Sequence, residues 1–171
     1  GPEAELFGGS QAIAHLRTAI EKVAPTNARV LITGPAGSGK EVVARMLHSL
    51  SQRAMAPFVV LNAASMAPER MEIELFGVEE VVGGEPEQRI GTFEQAHGGT
   101  LFLDEVANMP METQAKILRV LQDQSFERVG GGSTINVNVR VISASSNDLS
   151  EEINGGHFRE DLFHRLSVVP I

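Results

Sequence analysis

The chain has no cysteine, tryptophan or tyrosine, and its eight phenylalanines bring the aromatic share to only 5%. Without cysteine there is no disulfide framework and no thiolate metal site. With so few aromatics there is no stacking platform for single-stranded nucleic acid. Cations are the next shortage: Lys and Arg total 14 against 22 Asp and Glu, a formal charge of −8 over 171 residues. Gripping a phosphate backbone needs clustered cations, so this segment is not expected to hold DNA itself. No apolar run reaches the length of a membrane span, so no membrane partner is expected. The five histidines form no H-E-x-x-H pattern or close pair and are read as surface or helix-packing residues.

A hydrophobic share of 42% with 21% charged residues fits a globular domain of ordinary size. Ser10 is placed to cap a helix to Val23, with Ile13, Leu16, Ile20 and Val23 on one face. Apolar runs at 29–33 (RVLIT), 58–61 (FVVL), 100–103 (TLFL) and 139–143 read as buried strands, and helical spacing recurs at 42–50, 112–124 and 158–166. Residues 125–129 and 135–139 flank a triple-glycine turn and predict a hairpin. The Gly-, Pro- and Glu-rich segment 81–88 reads as a surface loop. Strands apolar on both faces that alternate with helices predict an α/β fold in three layers, with a mainly parallel sheet between helices. The opening Gly1-Pro2 reads as a protease-cleavage scar, and the apolar ending Val168–Ile171 suggests a piece of a longer protein.

Two motifs carry chemistry. Gly34, Pro35, Ala36, Gly37, Ser38, Gly39 and Lys40 follow an apolar strand and open a helix through Glu41 and Val42. This is the G-x-x-x-x-G-K arrangement, whose glycines let successive backbone N–H groups curl around phosphate oxygens. The helix N-terminus adds positive potential, and Lys40 is placed to reach the β- and γ-phosphates of ATP or ADP. Glu41 stands where Ser or Thr commonly ligates Mg²⁺, which leaves the metal to phosphates, waters and other carboxylates. The second motif is Leu101-Phe102-Leu103 running into Asp104-Glu105. An apolar strand ending in that pair is the Walker B pattern, with Asp104 orienting Mg²⁺ through water and Glu105 polarising the attacking water.

With these elements placed, the chain resembles the α/β subdomain of the AAA+ central domain of sigma-54-dependent bacterial transcription activators, the NtrC family of response regulators. The resemblance covers essentially the whole chain, through GPAGSGKE (34–41), ELFG (74–77), GTFEQAHGGTLFLDE (91–105), QAKILRVLQDQSFERVGG (114–131) and FREDLFHRL (158–166). It implies that Glu after the P-loop Lys is usual. It implies that Asn62 pairs with Glu105 as a switch, and that Arg159 and Arg165 are fingers reaching a neighbouring subunit's nucleotide. Ser146 lies in its γ-phosphate sensor region.

One stretch departs. Where the family carries a loop reading GAFTGA that touches sigma-54, this chain reads VEEVVGGEPEQ, which argues against the usual contact with sigma-54. That departure, with VAPTNARVLITGP and FREDLFHRLSVVPI, is similar to the NtrX branch. The branch implies a cytoplasmic two-component regulator with a receiver domain served by a membrane histidine kinase (NtrY-like) and a DNA-binding helix-turn-helix domain. It also implies a helical lid after the present segment, and self-association as a ring or dimer through the nucleotide site. Two readings stay open. One is an ATPase that works in the assembled parent protein and is weak or inactive in this segment. The other is a nucleotide-binding regulatory module that neither hydrolyses ATP productively nor remodels polymerase.

Overall fold

The computed structural model describes residues 10–171; the Gly1-Pro2 reading lies outside them. In chain order the main elements are α1 (Gln11–Val23), β1 (Val30–Thr33), α2 (Lys40–Ser49), β2 (Phe58–Asn62) and α3 (Pro68–Phe76). A hairpin, β3 (Val78–Val82) and β4 (Glu85–Arg89), is followed by the single-turn α4 (Thr92–Gln95), β5 (Thr100–Asp104) and α5 (Met111–Asp123). A short hairpin, β6 (Ser125–Glu127) and β7 (Thr134–Asn136), leads to β8 (Arg140–Ser145), α6 (Leu149–Asn154), α7 (Glu160–Leu166) and β9 (Val169–Pro170).

Five strands form one sheet in the order β2-β5-β8-β1-β9, and each neighbouring pair in it is parallel. Successive side chains of a strand point to opposite faces, and the burial follows. Leu31, Leu101, Leu103 and Val141 enter one core with Leu75, Phe76, Ile117, Leu121 and Leu162. Val30, Ile32, Phe102, Ile142 and Ala144 enter the other with Ile20, Val43 and Leu47. The three-layer expectation therefore holds. The α1 expectation holds as well, with Ser10 Oγ accepting from Ile13 N at 3.2 Å. No helix among the described residues is long and apolar enough to cross a membrane.

The sheet order sets the position of the site. From β1 the chain crosses through α2 to β2 at the far edge, passing over β8 and β5, whereas β9 lies on the other side of β1. Such a reversal opens a crevice at the carboxyl ends of the strands.

The expected loop at 81–88 is instead part of a hairpin. β3 and β4 pair antiparallel from Val78↔Arg89 to Val82↔Glu85. Gly83 and Gly84 form its two-residue turn with φ of +59° and +83°, the positive pair that suits tight hairpin reversal. The segment is exposed, so its Gly, Pro and Glu content looked like that of a loop. At its base, a Cβ on Gly77 would lie 2.3 Å from the Arg89 carbonyl oxygen, so only glycine lets the two strands leave the body this closely.

His48 takes the helix-packing alternative read for the histidines. It is buried, its Nε2–H donates to the Ala56 carbonyl (3.0 Å), and its Nδ1 accepts from the Thr100 hydroxyl (2.8 Å). Burial, opposed by the Ala56 bond and aided by Arg140 and Arg53, lowers its pKa, so it tethers α2 to β5 as a neutral ring.

Candidate nucleotide site

The carboxyl ends of β1, β2, β5 and β8 gather the candidate residues. The 34–40 segment leaves β1 with Gly37 and Gly39 at φ +79° and +91°. These left-handed turns curl the backbone, and with nothing within 4 Å of either Cβ position the loop's outer surface is open. Gly39 is the N-cap of α2, and no side chain caps that helix. The free N–H groups of its first turn make an anion site.

Lys40 is buried to 9% exposure. Its ammonium donates to the carbonyls of Gly34 (2.9 Å) and Pro35 (2.8 Å) and to Ser146 Oγ (3.0 Å). All three of its donors are therefore filled by neutral oxygens, and its charge meets no carboxylate bond. Pro35, Ala36 and Ser38 are exposed on the loop, and Val42 packs against the α1–α2 core. Glu41 turns along the helix surface to Arg45, at 3.2 Å.

Asp104 and Glu105 leave β5 in different directions. Asp104 Oδ1 is buried without a hydrogen-bond partner in the protein. Burial, then the adjacent Glu105 charge, raises its pKa above the ordinary carboxylate range. A buried carboxylate oxygen left over is what a hard cation or its water would occupy. The described residues contain no cluster of three or more His, Asp and Glu that could bind a metal by themselves. A divalent ion here would depend on Asp104 and on the nucleotide's own oxygens.

Glu105 adopts φ +56°, an uncommon conformation for a residue with a Cβ and one that concentrates at functional sites. Its Oε1 accepts from Ser146 Oγ at 2.7 Å. Ser146 thus stands between Lys40 and Glu105, just past the end of β8.

Asn62 is not joined to Glu105 as the resemblance implied. Its Nδ2 donates to Asp104 Oδ2 at 3.4 Å, and its Oδ1 accepts from Ala64 N at 2.9 Å. The reason is register: Asn62 sits opposite Asp104 across the parallel β2–β5 pair, so their side chains share a face. Glu105 has already left the strand.

Neither candidate finger bonds to the 34–40 loop or to β5 among the described residues. Arg159 is the N-cap residue of α7 and pairs with Asp161 at 2.8 Å. Its backbone N–H donates to Oε1 of Gln114 (2.9 Å). Gln114 is fully buried and donates in turn to the carbonyls of Met109 (2.8 Å) and His157 (3.0 Å). It fixes the turn that carries Arg159. Sequence reading missed it, because a lone glutamine in an amphipathic helix gives no signal of its long-range partners. Arg165 is exposed and close enough to Arg29, just before β1, to lower that residue's pKa after burial. That position is at the opposite end of β1 from Lys40.

A cavity of about 540 Å³ lies elsewhere, between α5 and the β6–β7 hairpin, and none of the motif residues line it. Backbone donors and charge mark the candidate site.

The family model described as the sigma-54 interaction domain matches residues 6–171. The nitrogen assimilation regulatory protein NtrX of Azorhizobium caulinodans is 57% identical over 97% of this chain and 36% of its own length. The DNA-binding transcriptional regulator NtrC of Escherichia coli K12 is 45% identical over the whole chain and 37% of its own length. Crystal structures of NtrX from Brucella abortus superpose at TM-scores of 0.91 (complex with ADP) and 0.90 (complex with ATP). Both are 59% identical and cover 96% of this chain. The chain therefore spans a little over a third of the relatives it matches. On the family match across nearly its whole length and on these identities, the chain belongs to the sigma-54 interaction domain family of NtrX- and NtrC-type transcriptional regulators.

Proposed function

We propose that this chain binds ATP or ADP with Mg²⁺ and is the α/β subdomain of the AAA+ central domain of a longer two-component response regulator that controls transcription. The observation that carries this reading is the state of Lys40. Its buried charge is held by three neutral oxygens at the mouth of an uncapped helix N-terminus. A polyphosphate offers charged oxygens in place of those neutral ones, and charge-assisted bonds are the stronger. Gly34 through Val42 would surround the phosphates. Asp104 would hold the metal through water, where the metal supplies charge neutralisation between phosphates. Glu105 would orient and deprotonate the attacking water, and Asn62 and Ser146 would position the two carboxylates.

Hydrolysis belongs to the assembled parent protein in this reading, with Arg159 and Arg165 of one copy completing a neighbour's site in a ring or dimer. The parent would carry a receiver domain phosphorylated by a histidine kinase, a lid and a DNA-binding domain, and would act in the cytoplasm. A second reading, nucleotide binding as an assembly signal without work on polymerase, is favoured by the β3–β4 hairpin, which carries no Phe-Thr tip.

Calorimetric titration with ATP and ADP, with and without Mg²⁺, tests the first step. Saturable binding that Lys40→Ala abolishes is the expected result. Equal heats for the chain and the variant would remove the cradle assignment.

A further inference from the structure

The rim opposite the cradle, at the amino ends of the strands, holds a second concentration of charge. Arg29 immediately precedes β1, Arg140 opens β8, and Arg53 lies in the α2–β2 connection. All three line one cavity of about 360 Å³, together with Asn27, Gln124 and Asn138. A β-strand rises about 3.3 Å per residue, so the length of β8 separates this cavity from Ser146 by roughly 15–20 Å.

Every acceptor that these guanidiniums meet among the described residues is neutral. Arg140, 2% exposed, donates to the carbonyls of Ala28 (3.0 Å), Ala24 (2.9 Å) and Val23 (3.2 Å). Arg53 donates to the Gly99 (3.0 Å) and Asn138 (3.3 Å) carbonyls and to the Asn138 (2.6 Å) and Asn27 (3.2 Å) side-chain oxygens. Arg29 donates to the Leu121 carbonyl at 2.8 Å.

The ordinary explanation is structural: Val23 and Ala24 end α1 and Leu121 is in the last turn of α5, so Arg140 and Arg29 face helix carboxyl termini. That accounts for part of the charge only. Each helix end carries about half a negative charge, so three cations against two helix ends leave on the order of two positive charges uncompensated. Burial and then the neighbouring Arg53 lower the Arg140 pKa. In a chain of net charge −8, three like charges gathered at one cavity need a counter-ion.

We propose that this cavity is an oxyanion site for a phosphate-bearing small molecule, separate from the nucleotide cradle. A guanidinium presents five N–H groups in a planar fork suited to tetrahedral oxyanions, and Arg29 uses only one of its five in the bonds above. Asn27 and Asn138 add neutral donors beside the charges.

Inorganic phosphate and pyrophosphate are the probes, titrated calorimetrically against the Lys40→Ala chain so that the cradle does not contribute. Saturable binding is expected. Arg53→Gln should weaken it about tenfold, the effect of losing one charge-assisted bond. Arg53→Lys should restore most of it, and added NaCl should weaken it. Arg53 is only partly buried, so these variants keep the fold, which phosphate-free thermal melts verify. Absence of saturable binding in the Lys40→Ala chain, or equal affinity in the Arg53→Gln variant, overturns the proposal. Neither result bears on nucleotide binding at Lys40.

Discussion

At the scale of single residues, Asp104 and Glu105 show how one step along a chain separates two environments. Asp104 stays in the strand, half-buried beside Asn62, and Glu105 turns through a positive φ to Ser146. Because burial and the Glu105 charge raise the Asp104 pKa, protons compete with Mg²⁺ here at higher pH than at an ordinary aspartate. As pH falls through the raised pKa, Asp104 becomes neutral and its contribution to metal binding disappears. Protonation also relieves the native state, so folding stability from this one group rises as pH falls. The Mg²⁺-dependent gain in ATP affinity should therefore start to decline above the usual aspartate range, near pH 4. Calorimetry with and without Mg²⁺ from about pH 7 downwards checks this, with Asp104→Asn, whose gain should be small throughout, as the control. Ser146 yields a second expectation. Ser146→Ala removes the hydroxyl joining Lys40 and Glu105, so ATP affinity should change by less than about threefold while turnover by the full-length protein falls about tenfold, with Ser146→Thr restoring it. A steady-state comparison that finds affinity lost and turnover kept would move Ser146 from positioning Glu105 to gripping phosphate. The cradle and the acidic pair were legible in sequence because their chemistry is local: glycines, a lysine and a helix start within a few positions. The partner of Asn62 was not, because it depends on which residue the register sets opposite, and register is a property of two strands.

At the scale of elements, one side chain bridges both strands of the β3–β4 hairpin to the body. Arg128, after β6, donates through Nε and Nη2 to both carboxylate oxygens of Glu94, each at 2.8 Å. Its Nη1 reaches Glu79 (2.6 Å) and Gln88 (3.1 Å) on the two hairpin strands. These two carboxylates raise the Arg128 pKa, and the arginine side chain is only 11% exposed. Backbone bonds add to the joint: Glu79 N–H donates to the Val129 carbonyl and Val129 N–H to the Gly77 carbonyl, both at 2.9 Å. Composition could suggest that 81–88 is on the surface. It could not reveal that an arginine some forty residues later orders it, which is why a loop was expected. Arg128→Ala leaves Glu94 and Glu79 without their cation and should destabilise the chain by about 2 kcal/mol in urea unfolding. Hydrogen exchange should then show lost protection over 78–89, with ATP affinity unchanged because the joint does not touch the cradle. Unaltered exchange in that segment would mean that the two-glycine turn and strand pairing suffice to hold it.

At the scale of the whole molecule, the parallel sheet was legible because strands apolar on both faces leave few alternatives, and their order then brings distant motifs to one rim. The proposed finger role of Arg159 and Arg165 was legible only as a resemblance, and on that proposal their positions would call for a second copy. Arg165 lies near Arg29 at the far end of β1 from Lys40, and Arg159 is held by Gln114 and Asp161. Neither can serve the chain's own cradle without refolding α7, whose Leu162 and Leu166 are fully buried. If turnover requires fingers from a neighbour, two defective copies can complement each other. In the full-length protein, Arg165→Ala should abolish turnover while sparing ATP binding, because the cradle is intact. Glu105→Ala should do the same for a different reason. Mixed in equal amounts, the two should recover roughly a quarter of the wild-type rate, since a fraction of contacts then pairs an intact Glu105 with an intact neighbouring arginine in a head-to-tail assembly. Recovery that grows with protein concentration would fix the site as shared between copies. Binding by both variants with no recovery at any concentration would exclude Arg165 as a residue acting across the interface.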